Sequence, residues 1–322
     1  MFPYLFKIGF FELRIYSLMY IIGLLLTIYF TRKRAEKFGI KPAETENFII
    51  FTFIIALLGA RMYYVAFRWD YYGGNPLEMI AIWHGGLAIH GGIIGGFIAA
   101  LSYCWYKKIN PLILGDAMFP FLLLSQGLGR FGNFANGEAH GVPTMTPPDI
   151  IFRLKNVFPE FWSSVLSQVG LQDTPRSVSI LSEIIKRKGG ELIVNFEGKA
   201  YYLHEYFPWG ISFPSKYRGP AYMDFGTLPV HPTFFYEMIL NFIGFALLLY
   251  FWKKDKIIGT GMITGGYLIL YGVIRGFVTT FRADDLMLGA FRAPHLLSVI
   301  MVVVGIGFIL NSRRLKGSKT AG

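Results

Sequence analysis

The residues of this chain best equipped for chemistry stand in apolar surroundings. Arg130, Asn133, Asn136 and Glu138 fall within one short stretch, with Gly127, Gly129, Gly132 and Gly137 interleaved. A guanidinium, two carboxamides and bare backbone amides suit a phosphate ester: they offer charge neutralisation, a fork of donors and room for close approach. A polar turn capping a helix would account for the asparagines and glycines, but it has no need of the arginine. Tyr271, Arg275, Thr279 and Arg282 recur at spacings of four, four and three, which puts them on one helix face and makes a second cationic site. Arg282, nearest the end of its apolar run, could instead snorkel to an interface.

His90 belongs to the glycine-rich run HGGLAIHGGIIGG that begins at His84. Its imidazole is either a base open to a ligand or a hydrogen-bonded link between helices, and position alone weighs the two evenly. The run's small residues, Gly92 and Gly96, are expected to let helices approach closely. His231-Pro232 opens another apolar run, the proline suiting a first helical turn, and Tyr236 and Glu237 follow just inside it. Glu237 is expected to pair with one of the arginines, as a structural pair or as a proton-handling group. Arg61 either lines the same cavity or holds helices together through backbone carbonyls, whereas Asp116 reads as structural.

What is absent narrows the chemistry. The sequence has no GxSxG elbow, no HExxH, no P-loop and no CxxC, so serine-nucleophile, metal and nucleotide chemistries lose ground. The one cysteine, Cys104, allows neither a disulfide nor a thiolate cluster within the monomer. Any thiol chemistry must use another molecule's thiol, and the chemistry read here requires no cofactor and no metal.

The elements that must position these groups are membrane spans. Of 322 residues 53% are hydrophobic and only 16% are charged, where soluble domains carry about a quarter charged. The net charge of +11 does not point to nucleic acid, because the basic residues cluster between apolar runs, as anchoring on anionic lipid requires. Apolar runs of spanning length cover Tyr16–Phe30, Phe48–Phe67, Leu87–Trp105, Leu112–Leu128, Thr233–Trp252, Gly261–Thr280 and Pro294–Leu310. An all-α polytopic membrane protein of about seven transmembrane helices is therefore expected.

The positive-inside rule places Arg32 to Lys41, Lys107–Lys108, Lys253–Lys256 and Arg313 to Lys319 together on the cytoplasmic side. The N-terminus is then outside and the C-terminus inside. No cleaved signal peptide is expected, since the first positive cluster follows the first apolar run. The expected division is 1–138 for spans one to four, 139–230 for an extracytoplasmic α+β subdomain, and 231–322 for the last three spans. In that subdomain Asp149–Val169 is part-amphipathic, and Glu191–Phe196 and Ala200–Tyr206 alternate like strands. Its aromatics, among them Trp162, Tyr201, Tyr202, Phe207 and Trp209, either rest on lipid headgroups or form a small core.

The motifs HGGLAIHGG, GRFGNFANGE, HPTFFYE and YGVIRGFVTTFR occur in that order, and with them the chain resembles the prolipoprotein diacylglyceryl transferases of bacteria. The likeness runs from about Tyr16 to the last apolar run, most of the long loop excepted, and GRFGNFANGE matches the family's motif almost letter for letter. It implies a seven-span enzyme of the bacterial cytoplasmic membrane that faces the outer leaflet. Its partners would be phosphatidylglycerol and the lipobox cysteine of a prolipoprotein signal peptide, and its products a thioether and glycerol 1-phosphate. Position in the motifs carries family functional residues onto Tyr16, His90, Arg130, Asn133, Asn136, Glu138, Tyr271 and Arg275. Of these His90, Arg130 and Arg275 are the expected catalytic groups; the others, with Arg61, His231, Glu237 and Arg282, are expected to bind substrate.

The chain departs from the family pattern at Arg14, where a histidine is usual, at Val230 and Phe234, in place of arginine and glutamine, and at Thr279, in place of glutamate. Its long loop is also larger. Two rival readings are a lipid or anion transporter, against which the lack of an internal repeat counts, and a catalytically impaired homologue.

Overall fold

The computed structural model describes residues 4–8, 11–74, 76–81, 85–153, 155–172, 175–187, 192–213, 219–283, 287–289 and 291–320. Helices α1 (Ile15–Glu36) and α2 (Pro42–Ala66) precede two short ones, α3 (Trp69–Tyr72) and α4 (Pro76–Ile80). The long helices α5 (Ile89–Lys107) and α6 (Pro111–Asn136) follow. A connection bearing α7 (Pro148–Ile151), α8 (Phe158–Gln168), α9 (Pro175–Arg187) and α10 (Pro220–Phe225) leads to α11 (Thr233–Trp252), α12 (Met262–Phe281) and α13 (Ala293–Thr320).

Among the described residues, seven helices are long and apolar enough to cross a membrane, namely α1, α2, α5, α6, α11, α12 and α13 as far as Ser312. They coincide with the seven apolar runs. The largest difference is at α6, which continues past Leu128 to Asn136 and so carries most of the GRFGNFANGE motif on its last two turns. It stops where Gly137 turns to φ 69°, a conformation that costs glycine little.

Three two-stranded antiparallel sheets complete the described residues: β1 (Tyr4–Ile8) with β2 (Phe11–Arg14), β3 (Leu192–Phe196) with β4 (Lys199–Leu203), and β5 (Met287–Leu288) with β6 (Phe291–Arg292). The middle hairpin is the pair of alternating runs expected in the long loop, with Ile193 opposite Tyr202 and Val194 opposite Tyr201. The first and last hairpins were not anticipated. In the first, Arg14 pairs with Tyr4 and lies over its ring at 5.6 Å.

The chain forms two compact units. One comprises Leu25–Phe121, Phe251–Thr264 and the end of α13. In it α2 and α5 touch through backbone: a Cβ on Gly59 would lie 2.6 Å from the Gly91 carbonyl oxygen, and one on Gly95 would lie 2.9 Å from that of Ile55. Close approach was expected at Gly92 and Gly96, but a Cβ there would find its nearest atom at 3.5 and 3.3 Å. Both of these glycines also face α2, through Ala56, but the tightest backbone approach is one position earlier, on Gly91 and Gly95. Asp116 is fully buried, and its carboxylate accepts from the amides of Gly259, Gly261 and Thr264 and from the Thr264 hydroxyl at 2.8–3.0 Å. The structural reading of Asp116 holds: it caps the start of α12 from a distance, supplying acceptors that a helix N-terminus otherwise lacks. Arg34 is buried against the Trp252 ring and pairs with Asp255 at 2.6 Å.

The other unit comprises the residues up to Leu24, Leu122–Tyr250 and Gly265–Asn311. Its hydrophobic core joins the long connection to the membrane helices: Phe161, Val165, Leu181, Val194, Leu203 and Phe213 cluster with Phe234 of α11 and Phe281 of α12. The loop aromatics differ in burial. Trp162 and Tyr201 are buried in this core, while Tyr202 and Trp209 are each 56% exposed. On its surface, burial works against the charge of Asp149, but Lys199 at 2.8 Å and Tyr201 at 2.9 Å hold that carboxyl below its usual range.

The glycine contact can be tested by overpacking, which costs about 1–3 kcal/mol. Gly91→Ala is expected to lower the thermal unfolding temperature in detergent by several degrees, and Gly92→Ala to change it little. Equal effects of the two substitutions would place the contact face wrongly.

Candidate active site

The cationic cluster is assembled by three membrane helices. Arg130 of α6 donates from Nη2 to Glu237 of α11 at 2.7 Å, and Arg275 of α12 reaches the other oxygen of the same carboxylate at 3.4 Å. Glu237 is 1% exposed, against 20% and 18% for the two arginine side chains. The expected pairing of Glu237 with one arginine is thus a pairing with both. Two guanidiniums sharing one carboxylate make a centre that favours anions, because neither can lose its proton at any physiological pH.

The neighbouring groups are held by packing. Arg130 Nη1 donates to Asn133 Oδ1 at 3.0 Å, one turn along α6. Tyr271 stands one turn before Arg275, and its ring stacks on Tyr267 at 5.9 Å. Gln126 of α6 donates to the Tyr267 hydroxyl at 3.0 Å. Tyr16 of α1 lies against Gly132: a Cβ there would come within 2.5 Å of its ring, so only glycine lets α1 and α6 meet at this level. The Tyr16 hydroxyl is 2.9 Å from that of Tyr20. Asn136 Nδ2 and Glu138 Oε1 are 3.5 Å apart. Glu138 was expected to bind substrate, and the carboxylate on Arg130 is that of Glu237.

Of the other expected site residues, His231 and Arg282 belong to this unit and His90 and Arg61 to the other. His231 is fully buried between Phe207 and Phe281, with Nδ1 3.0 Å from the Tyr236 hydroxyl, which in turn accepts from Trp209 Nε1 at 2.6 Å. Burial pushes its pKa down to about 4, so the ring is neutral at pH 7. Its backbone pairs with Gly141 and Val142, stitching the start of α11 to the chain that follows Glu138. Arg282 lies just beyond α12 in a bridge with Gly141, and Thr279 is fully buried with its carbonyl receiving Arg292. In the other unit, His90 stands exposed in the first turn of α5, its ring 6.0 Å from that of Tyr63. Arg61 donates to the carbonyls of Glu78, Met79, Gly85 and Gly86, which is the helix-holding alternative of its two readings. His84 lies outside the described residues.

Tyr20, Gln126 and Tyr267 were not among the expected site residues. Tyr267, Tyr271 and Arg275 recur at four-residue spacing, so the first of them was visible as a backward extension of the α12 stripe. Gln126 and Tyr20 likewise sit four residues before Arg130 and after Tyr16.

A polytopic helical membrane protein with a shared-carboxylate arginine pair at helix depth is the class that fold and site define. The family model of the prolipoprotein diacylglyceryl transferases matches residues 3–311, and the chain belongs to that family. It is a transferase of that kind. The phosphatidylglycerol–prolipoprotein diacylglyceryl transferase of Fusobacterium nucleatum is 40% identical over 308 residues, 95% of this chain and 96% of that protein. Those of Streptococcus equi and Staphylococcus carnosus are each 33% identical over 315 residues, covering 98% and 97% of this chain and 96% and 90% of their own.

Two measurements check this geometry. Glu237→Gln leaves two guanidiniums facing each other without their counter-ion, and is expected to destabilise the folded protein by about 3 kcal/mol in detergent, more than Glu138→Gln does. His231 titrates near 6.5 when unfolded and near 4 when folded. Its contribution to stability is therefore complete above about pH 6.5 and lost as pH falls toward 4. His231→Asn should flatten that acid limb; an unchanged limb would count against the buried neutral imidazole.

Proposed function

We propose that the chain moves the diacylglyceryl group of phosphatidylglycerol onto the lipobox cysteine thiol of a prolipoprotein, with Arg130 and Arg275 receiving the phosphate. The observation that carries this is the sharing of Glu237 by the two arginines. Glu237 keeps both cations in place within apolar surroundings, and the planar fork of a guanidinium matches the oxygens of a phosphodiester.

The reaction is a displacement at a glycerol carbon. The thiol loses its proton to His90, the thiolate sulfur forms a bond to the carbon, and the bond from that carbon to the phosphate oxygen breaks. The electron pair stays on that oxygen, giving glycerol 1-phosphate and a thioether. Negative charge grows on the departing phosphate, so fixed guanidiniums aimed there stabilise the transition state more than the ground state. A thiol of ordinary pKa near 8.5 is mostly protonated at neutral pH, and a base raises the thiolate fraction. The exposed ring of His90 suits that role. Asn133 and Asn136 orient the headgroup, and Tyr16 and Tyr271 border it. Glycerol hydroxyls need acceptors that a choline or ethanolamine headgroup does not, and Glu138 is one.

The basic clusters after α1, between α5 and α6, between α11 and α12, and in the last part of α13 alternate as the positive-inside rule requires. They support an N-terminus outside, a C-terminus in the cytoplasm, and GRFGNFANGE near the outer leaflet, where exported prolipoproteins present their cysteine. On this orientation 139–230 is the extracytoplasmic subdomain between spans 1–138 and 231–322.

The test is transfer of labelled diacylglyceryl to a lipobox peptide by folded, purified protein. Arg130→Ala is expected to lower turnover by about a hundredfold or more, and wild-type turnover would refute the reading. His90→Gln should abolish the rise of turnover with pH that deprotonation of a base produces. The same rise in both proteins would remove His90 from that role.

A further inference from the structure

Arg61 is a buried guanidinium, 3% exposed, in a helix long and apolar enough to span a membrane, and such a charge is costly unless its donors are met. Its donors are met by main chain. Nε donates to the Met79 carbonyl at 3.0 Å, Nη2 to that of Glu78 at 2.5 Å, and Nη1 to those of Gly85 and Gly86 at 2.5 and 2.9 Å. The Tyr72 ring covers its face at 5.0 Å. One side chain thus gathers two carbonyls of α4 and the two glycines that lead toward α5.

The conformation of those glycines answers to the same contact. Gly85 and Gly86 have φ of 84° and 73°, which turns both carbonyls onto Nη1. A Cβ on Gly86 would fall 2.6 Å from that nitrogen and 2.7 Å from the Tyr64 ring. Beyond them the Ala88 amide donates to the Ala60 carbonyl at 3.0 Å, and Gly91 packs on the Gly59 carbonyl. Three consecutive residues of α2, Gly59, Ala60 and Arg61, therefore fix the backbone on both sides of His90. The His90 ring itself is left exposed beside Tyr63.

We infer that Arg61 is a positioning residue for His90: by clamping Gly85 and Gly86 it sets the first turn of α5, and through it where the imidazole stands. The inference rests on the reading of His90 as the base that takes the thiol proton. Arg61 touches no reacting atom in this scheme. Lysine cannot replace it, since one ammonium cannot reach four carbonyls presented to three separate nitrogens.

The experiment compares wild type, Arg61→Ala, Arg61→Lys, Gly86→Ala, His90→Gln and the double variant Arg61→Ala/His90→Gln as full chains in detergent. Turnover on a lipobox peptide is measured, together with hydrogen exchange of the segment Gly85–Gly91. Each Arg61 variant and Gly86→Ala should lower kcat about tenfold or more, with the peptide KM within about twofold. Each should also speed exchange in that segment while exchange in α11 and α12 is unchanged. The double variant should be no slower than His90→Gln by more than about twofold, because one interaction is not lost twice. Multiplying effects in the double variant would overturn action through His90. Unchanged exchange, or wild-type kcat in Arg61→Lys and Gly86→Ala, would overturn the clamp. If His90→Gln itself turns over normally while Arg61→Ala still frees the segment, the base assignment and the action through His90 fall, and the clamp alone stands.

Discussion

Everything in the cationic site depends on one buried carboxylate. An arginine at membrane depth is tolerated only if its charge is met, and Glu237 meets two. Because those arginines come from α6 and α12 while Glu237 is on α11, neutralisation brings three helices to one level. The other features follow from that convergence. Gly132 gives Tyr16 its place, Gly127 clears Phe242, and Asn133 takes an Arg130 donor that the carboxylate leaves over. A cluster built this way holds its cations rigidly before any ligand arrives, which is the condition under which fixed charges accelerate a reaction that develops negative charge.

The departures from the family pattern have packing explanations. Phe234, where the family has glutamine, is fully buried among Phe134, Phe213 and Phe235. Val230 is equally buried, bridging Pro143 and Ile211. Both lie in the core that the long loop shares with α11 and α12, so apolar side chains at these places extend the loop's own core onto the helices. Thr279 is inside the same unit, and a glutamate in its fully buried position would need a partner of its own. Arg14 has gone to a different use, lying over Tyr4 in the first hairpin.

Among the described residues, arginines withdrawn from the surface are held in four chemically different ways. Arg130 and Arg275 face a carboxylate, Arg34 an aspartate and the Trp252 ring, Arg292 two carbonyls and the Asn156 carboxamide, and Arg61 only carbonyls and the Tyr72 ring. Only the first arrangement has the donors of two cations converging on one carboxylate, and so favours a further anion. The last uses its donors up on backbone, which makes it a clamp.

The sequence by itself determined the seven spans, their charged ends, the polar groups stranded among apolar residues and the family. Each is a local property: length, periodicity and residue type within a window set them. It also put Tyr271 and Arg275 on one face, since helical spacing alone decides that. Tertiary structure decided who pairs with whom. Arg130 and Glu237 are 107 residues apart, and no local pattern says that Glu237 takes both arginines while Glu138 takes neither. It decided that Arg61 holds backbone, that Gly91 and Gly95 approach α2 more tightly than Gly92 and Gly96, and that α6 runs on to Asn136. The physical reason is common to all of these. A polar residue ends a helix, lines a site or staples a loop according to which distant partner satisfies it, and that partner is chosen only when the helices pack.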